Sequence, residues 1–439
     1  MSLKLESWGR FPKHPQVAHP VHWPADVESG LASISTLGSG GGIAYGKGRS
    51  YGDSCMAESD HVLAMDAMDR VLAVDWQTGR ITAQAGLTLD ALIRFALPRG
   101  WFLPVTPGTK FVTLGGAVAN DVHGKNHHVM GTFGRHVRRL TMYRSSEGVV
   151  ECSMQSNAPL FAATVGGLGL TGVLLSVELQ LRRVASSRVA QRSIKFGDLD
   201  AFFELATQHD AQHEYAVAWV DCLATGSRAG RGHYIVGDHA DDGNLEIASA
   251  RPRRMPIDPP FSLVNTLSLR AFNALYYHRQ RAMEASATVG YDPFFYPLDK
   301  VLHWNRIYGR AGFQQYQCVV PRAHAREAVR SVLREIARSG TGSFLAVLKQ
   351  CGDIASPGLL SFPLPGTSLA LDFAQHDRAN ERLFASLDAI VHEAGGRLYP
   401  AKDAHMSARH FRGAYPAWEQ VEALRDPKLM SRFWRRVAG

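Results

Sequence analysis

Residues 107–134 read PGTKFVTLGGAVANDVHGKNHHVMGTFG. Gly108, Gly115, Gly116, Gly124, Gly131 and Gly134 sit among small polar residues, with His123, Lys125, His127 and His128 interleaved. Glycine lacks a Cβ and tolerates positive φ, so such a run lets backbone N–H groups approach a ligand closely. Upstream, residues 45–54 read YGKGRSYGDS, a second glycine-rich loop. Two such loops in one domain point to a large phosphorylated cofactor lying across both. The basic and imidazole groups between the glycines place chemistry beside it.

A buried diphosphate carries about two negative charges that donors must meet. Successive amides of a glycine turn do this without lysine, each charge-assisted bond contributing about 1.5–3 kcal/mol. Gly46, Lys47, Gly48, Arg49, Ser50, Tyr51, Gly52 and Asp53 suit that role, although alone they read equally as a hairpin corner. The chain has no GxxxxGK[ST] run, which sets aside a P-loop. GGLGLTG at 166–172 imitates a dinucleotide fingerprint, but it runs into the apolar segment Val173–Leu181 instead of a helix, the wrong context for that motif.

Around these loops the pattern is mixed. A helix follows Pro24, and strands are predicted at His61–Met65, Arg70–Trp76, Arg80–Ala85, His136–Tyr143, Val149–Met154 and Val173–Leu181. Thr88–Leu97 has helical spacing, with Thr88 where an N-cap belongs and Gly100 just past the end. Further on, strands at Tyr215–Cys222, Phe313–Val320, Ser343–Lys349 and Ser368–Phe373 alternate with helices at Leu199–Gln208, Ala323–Arg338 and Arg378–Ala394. The expected architecture is α+β: an N-terminal domain over residues 1–185, an antiparallel-sheet domain over 186–396, and a C-terminal segment, 397–439, that completes the first. Gly226–Tyr291 reads as an irregular connection, a lid or binding loop. Its part Phe261–Tyr277 has apolar residues at helical spacing, for packing on the parent domain or for resting on a partner or membrane surface.

Bulk properties narrow the class. The chain has 439 residues, 45% hydrophobic and 20% charged, which suits a folded protein of two domains. No apolar run reaches transmembrane length, and the N-terminus has no signal-peptide core, so a cytoplasmic protein is expected. Five cysteines without CxxC spacing read as reduced core thiols and give no zinc site. A net charge of +8 favours an anionic partner, either a phosphate-bearing small molecule or an anionic membrane surface, over a merely solvated basic face. Nucleic acid is set aside because the basic residues are scattered and no binding motif occurs.

GKGRSYGD, TPGTKFVTLGGAVANDVHGKNHH and GGLGLTG, in this order and spacing, resemble the vanillyl-alcohol-oxidase-like FAD enzymes. That resemblance implies a two-domain FAD-binding fold in which the first loop binds the diphosphate, the second lies beside the flavin and the third contacts the adenine and ribose side. HGKNHH, YAVAWVD, WNRIYG, GFQQYQCVVP, LSFPLPG, LDF and GGRLYPAKD are similar, in order, to segments of members that oxidise a lipid-linked ribose. The implied reaction is oxidation of the 2′-hydroxyl of a polyprenyl-phosphoryl-β-D-ribose. A separate NAD(P)H-dependent short-chain reductase would then give the arabinose lipid. An aldonolactone or alditol oxidase acting on a soluble sugar is the competing reading, and a flavin-bearing assembly partner without turnover is a third. Several relatives carry a flavin-linked histidine where this chain has Arg49, so FAD is expected to be held non-covalently.

The same resemblance assigns the site. Lys402 is the leading catalytic group, against a surface lysine pairing Asp403; His123 is the second, against an imidazole satisfying its own loop. Gly108, Thr109, Thr113, Gly115, Gly116, Asn120, His123, Gly124, Val173 and Tyr399 join the first loop as cofactor contacts. Trp219, Gln315, Gln317, Lys349 and Lys125 surround the sugar, or else line a domain interface. Gln315 and Gln317 share a strand face, as do Leu345, Val347 and Lys349. Ala370 stands where family members carry a cysteine. No metal site is expected: His123 and His127 share a face only on a helix, and Gly124 and Asn126 argue for a loop.

Overall fold

The computed structural model describes residues 4–37, 40–247 and 252–439. The N-terminal part carries two sheets. A small one orders the strands Lys4–Leu5, Gln16–Pro20, His61–Ala64 and Ile43–Tyr45, the last two pairing in parallel. A five-stranded antiparallel sheet orders Val71–Asp75, Arg80–Gln84, Val173–Gln180, Val137–Arg144 and Gly148–Cys152. Helix Leu89–Ala96 starts as its residues dictate: Thr88 Oγ1 accepts from the Ala91 N–H at 3.2 Å, and Gly100 adopts φ +75° beyond it.

The rest of the chain builds one eight-stranded sheet: Glu284–Gly290, Arg188–Phe196, Gly232–His239, Tyr215–Val220, Val347–Cys351, Gly366–Ala374, Phe313–Pro321 and Arg397–Leu398. Every pairing in it is antiparallel. Helices Leu199–His209, Ala325–Ser339 and Asp377–Glu393 cover one face through Phe202, Val329, Ile336, Phe384 and Leu387. The other face is left to line a cavity.

The segment expected to be irregular, Gly226–Tyr291, supplies two of these strands and helix Thr266–His278. Gly232–His239 is central, paired on both sides. Its glycines, histidines and aspartate read as turn residues, but sheet pairing on two sides overrides that local preference. Arg251, part of a cluster with Arg253 and Arg254, lies outside the described residues.

The C-terminal stretch returns to the N-terminal part. Gly42 bridges to Leu429 and Ala57 to Ser431. Arg432, Arg435 and Arg436 form ion pairs with Asp60, Glu58 and Asp53 at 2.9, 2.6 and 2.8 Å.

Candidate active site

The first glycine loop leaves strand Ile43–Tyr45 and runs along a cavity of about 430 Å3. Among the described residues, the amides of residues 46–50 donate to no protein carbonyl. The Arg49 guanidinium lies 3.9 Å over the Trp8 ring, and its buried Nε has no hydrogen-bond partner. Burial pulls its pKa below the ordinary value. A row of unpaired amides beside a half-buried cation supplies the donors of an anion site.

Two glycines explain how the loop is held. A Cβ at Gly46 would lie 2.5 Å from Thr113 Oγ1, so the loop rests directly on the N-cap of helix Leu114–Ala119. A Cβ at Gly52 would fall 1.7 Å from the Asp403 carbonyl oxygen, so the loop's far side rests on the C-terminal segment. Three of the expected cofactor contacts therefore do not line the cavity. Gly52 faces Asp403, Asp53 turns to Arg436, and Val173 is buried in the hydrophobic core. The other expected cofactor contacts all line it.

Sheet pleating supplies the opposite wall. Alternate residues of neighbouring strands face inward: Val217 and Trp219, then Val347 and Lys349, then Ser368, Ala370 and Asp372, then Gln315 and Gln317. All five expected sugar contacts, Lys125 included, are brought together here. Trp219 Nε1 donates to the Phe344 carbonyl at 2.9 Å, and its ring lies 4.5 Å from that of Tyr276. Gln315 Nε2 donates to Asp372 at 2.7 Å.

Lys402 stands where the two walls meet. Its ammonium lies 3.7 Å over the Tyr51 ring, and among the described residues it forms no ion pair. Asp403, its possible surface partner, is occupied instead by Arg436 at 2.9 Å and His405 at 3.3 Å. Burial drives the Lys402 pKa down to about 7; the Asp372 carboxylate works against that shift and Arg49 adds to it. Asp372 itself is raised to about 7 by burial, with the Gln315 amide and Lys402 opposing.

Two more lysines share the cavity. Lys349 donates to the Gly124 carbonyl at 2.6 Å and is lowered to about 8 by burial. Lys125 donates to the Phe294 carbonyl and is lowered to about 7 by burial and by Lys349. Lys47, Arg49, Lys125, Lys349 and Lys402 face only Asp299 and Asp372 among the charged lining groups. The excess of positive charge suits an anionic ligand. His123 lies tilted against the stacked pair of Phe362 and Tyr399, with ring centres 5.3 and 5.4 Å away, and its Nε2 lies 3.2 Å from Gln317 Nε2. Its Nδ1 is buried without a partner. Burial, then Lys349, His127 and Lys402, hold the ring neutral. Tyr399 donates to the Asn120 carbonyl at 2.8 Å, tying this wall to the second glycine loop.

Asp372, Tyr276, Trp304 and Asp299 also line the cavity and were not expected there. The alternation of Ser368, Ala370 and Asp372 on one strand would have revealed the first. Tyr276 shares its helix with an outward apolar stripe that dominates the pattern. Trp304 and Asp299 sit in short turns and carry no periodic trace.

Residues 42–153, which hold both glycine loops, match the family model described as an FAD binding domain. The unpaired amides, the orphaned Arg49 Nε and the aromatic-imidazole wall at His123 and Tyr399 fit that group. The amides of 46–50 and Arg49 would hold the diphosphate; Thr113, Gly115, Gly116, Asn120, His123 and Tyr399 would face the rest. The fold and site thus define an FAD-binding oxidoreductase. The chain is 34% identical, over 97% of its length and 94% of the relative's, to the decaprenylphosphoryl-β-D-ribose oxidase of Mycolicibacterium smegmatis. It is 35% identical over 77% of its length to an uncharacterized Streptomyces coelicolor protein from the mprA 5′ region, covering 95% of that protein. It is 24% identical, over 90% of each chain, to an L-gulono-1,4-lactone dehydrogenase of Mycobacterium tuberculosis. The chain belongs to the family of the decaprenylphosphoryl-β-D-ribose oxidase.

Proposed function

We propose that the protein oxidises the 2′-hydroxyl of a polyprenyl-phosphoryl-β-D-ribose to the 2′-ketone. The observation that carries this reading is the place of Lys402: its amine lines the cavity where the cofactor loop meets the polar strand faces, 3.7 Å over the Tyr51 ring. Bound FAD supplies the acceptor for the hydride that leaves the sugar carbon. Lys402 in its neutral form takes the hydroxyl proton as the carbonyl forms. The Gln315 and Gln317 amides orient the sugar hydroxyls, and Trp219 with Tyr276 keeps water from the reacting face. The cationic lining suits the phosphoryl group, and Ala370 leaves the adjoining wall without a thiol.

The rest of the reading concerns context. Arg49 at the loop position leaves FAD bound without a covalent link. A 2′-ketone must be reduced to complete an epimerisation, so a separate NAD(P)H-dependent short-chain reductase in the cytoplasm is the proposed next enzyme. No helix among the described residues is long and apolar enough to cross a membrane.

The test is turnover with a dye acceptor, comparing a prenyl-phosphoryl ribose with free L-gulono-1,4-lactone and free alditols. Turnover of the lipid-linked ribose alone is expected. Turnover of the free sugars alone would assign the protein to the soluble-sugar oxidases instead.

A further inference from the structure

Helix Thr266–His278 has two faces of opposite character. Inward, Leu269 and Asn273 are buried, and Tyr276 lines the cavity against Trp219. Outward, Leu267, Ala271 and Leu275 repeat every four residues, and the two leucines are 80% and 74% exposed. The segment before the helix adds Ile257, Phe261 and Leu263, all exposed. It is fastened to the cavity wall: the Leu263 N–H donates to the Ile307 carbonyl at 2.8 Å, the Arg310 N–H to the Pro259 carbonyl at 3.1 Å, and the Ser268 hydroxyl to the Leu263 carbonyl at 3.0 Å. Trp304, in the turn these bonds hold, also lines the cavity.

Charge selects what covers this face. Residues 252–283 carry Arg253, Arg254, Arg270, Arg279 and Arg281 against the single acid Asp258, whose carboxylate is taken by Arg10 at 2.8 Å. Among the described residues none of those five arginines forms an ion pair with a carboxylate. Exposed leucine and phenylalanine rimmed by unpaired arginine match the interfacial zone of a bilayer, apolar below and anionic at the headgroups. A second copy of the same face would oppose arginine to arginine across a twofold axis, which disfavours self-pairing.

We propose that helix Thr266–His278 and residues 257–263 dock the protein on an anionic phospholipid surface, with the cavity wall at Tyr276 held next to the membrane. The proposal rests on the reading of the substrate as lipid-linked: the sugar phosphate passes inward while its prenyl chain stays in the bilayer. Leu267 and Leu275 enter the headgroup region and the arginines meet lipid phosphates.

The experiment is co-sedimentation of the FAD-loaded full chain with vesicles of phosphatidylglycerol and phosphatidylcholine, against phosphatidylcholine alone. Binding to the anionic vesicles is expected, weakened by salt and lowered about tenfold or more in the double variant Leu267→Glu, Leu275→Glu. That variant should keep its flavin spectrum and its turnover of a short-chain, water-soluble prenyl-phosphoryl ribose. It should lose turnover of long-chain substrate presented in vesicles. No vesicle binding, binding indifferent to the double substitution, or a wild-type dimer that the substitutions dissociate would each overturn the docking surface. Vesicle binding that behaves as described, without turnover of any prenyl-phosphoryl ribose, would uphold the surface and defeat the proposed reaction.

Discussion

In the proposed reaction Lys402 is the base, and its surroundings remove hydration without supplying a close counter-ion. With a pKa of about 7, its neutral form dominates only above that pH, and a base must be neutral to accept a proton. The rate of flavin bleaching by substrate should therefore rise as pH increases through about 7 and level off above it. In Lys402→Met the rate should fall by about 10²–10⁴, and this limb of the profile should vanish. A Lys402→Met enzyme with the wild-type profile would move the base elsewhere. Arg49 gives a second expectation at this scale: acid denaturation should release the flavin into the supernatant, whereas a yellow pellet would mean a covalent bond. The polar wall was readable because its residues obey strand alternation. Gln315 with Gln317, and Val347 with Lys349, share strand faces by that rule and line the cavity; Leu345 lines it too but precedes the strand Val347–Cys351. Asp53 could not be read correctly, because its partner Arg436 is 383 residues away in sequence.

At the scale of elements, the first glycine loop depends on what lies behind it. Arg436, on helix Arg432–Val437, bonds both Asp53 in the loop and Asp403 beside Lys402. Burial raises the Asp403 pKa, but Arg436 and His405 outweigh it and hold the carboxyl below its ordinary 3.8. The stability Asp403 contributes is thus present above pH 3.8 and lost as pH falls through its lower folded-state value. Arg436→Met leaves buried Asp53 without a cation and buried Asp403 with His405 alone. We expect a loss of about 3–5 kcal/mol, near the lower end because the arginine is partly exposed, and weakened flavin retention during gel filtration. Unchanged melting temperature and flavin content would show the clamp to be incidental. Helix Leu89–Ala96 makes a smaller demand: Thr88→Ala should cost about 1 kcal/mol in denaturant unfolding. That helix was legible because its cap and stop are local. Strand Gly232–His239 was not, because its turn-like letters become a strand only between two partners. Arg188–Phe196 escaped for a related reason: Arg188, Gln191, Arg192, Ser193 and Lys195 hide the buried Val189, Ile194 and Phe196.

Across the whole molecule, one cavity joins pieces far apart in sequence: the loop at 46–51, the second glycine loop, five strands of the large sheet and the turn carrying Lys402. The α+β class followed from local patterns, whereas this convergence comes from long-range packing. The C-terminal stretch shows the dependence best. Leu429, Met430, Phe433, Trp434 and Val437 are buried, and Arg432, Arg435 and Arg436 pair with the N-terminal part. Deleting residues 427–439 should therefore yield a protein that binds no flavin, judged by its visible absorbance after purification. A truncated chain that stayed yellow would show that the N-terminal loops hold FAD unaided.

The central claim is that these converging walls bring a ribosyl carbon to bound FAD. It is tested most directly by mixing the oxidised protein anaerobically with prenyl-phosphoryl ribose and following the visible absorbance of the flavin. The account predicts that the yellow colour bleaches, and that deuterium at C2′ slows the bleaching. A flavin that stays oxidised, or bleaching indifferent to deuterium at that carbon, would contradict it.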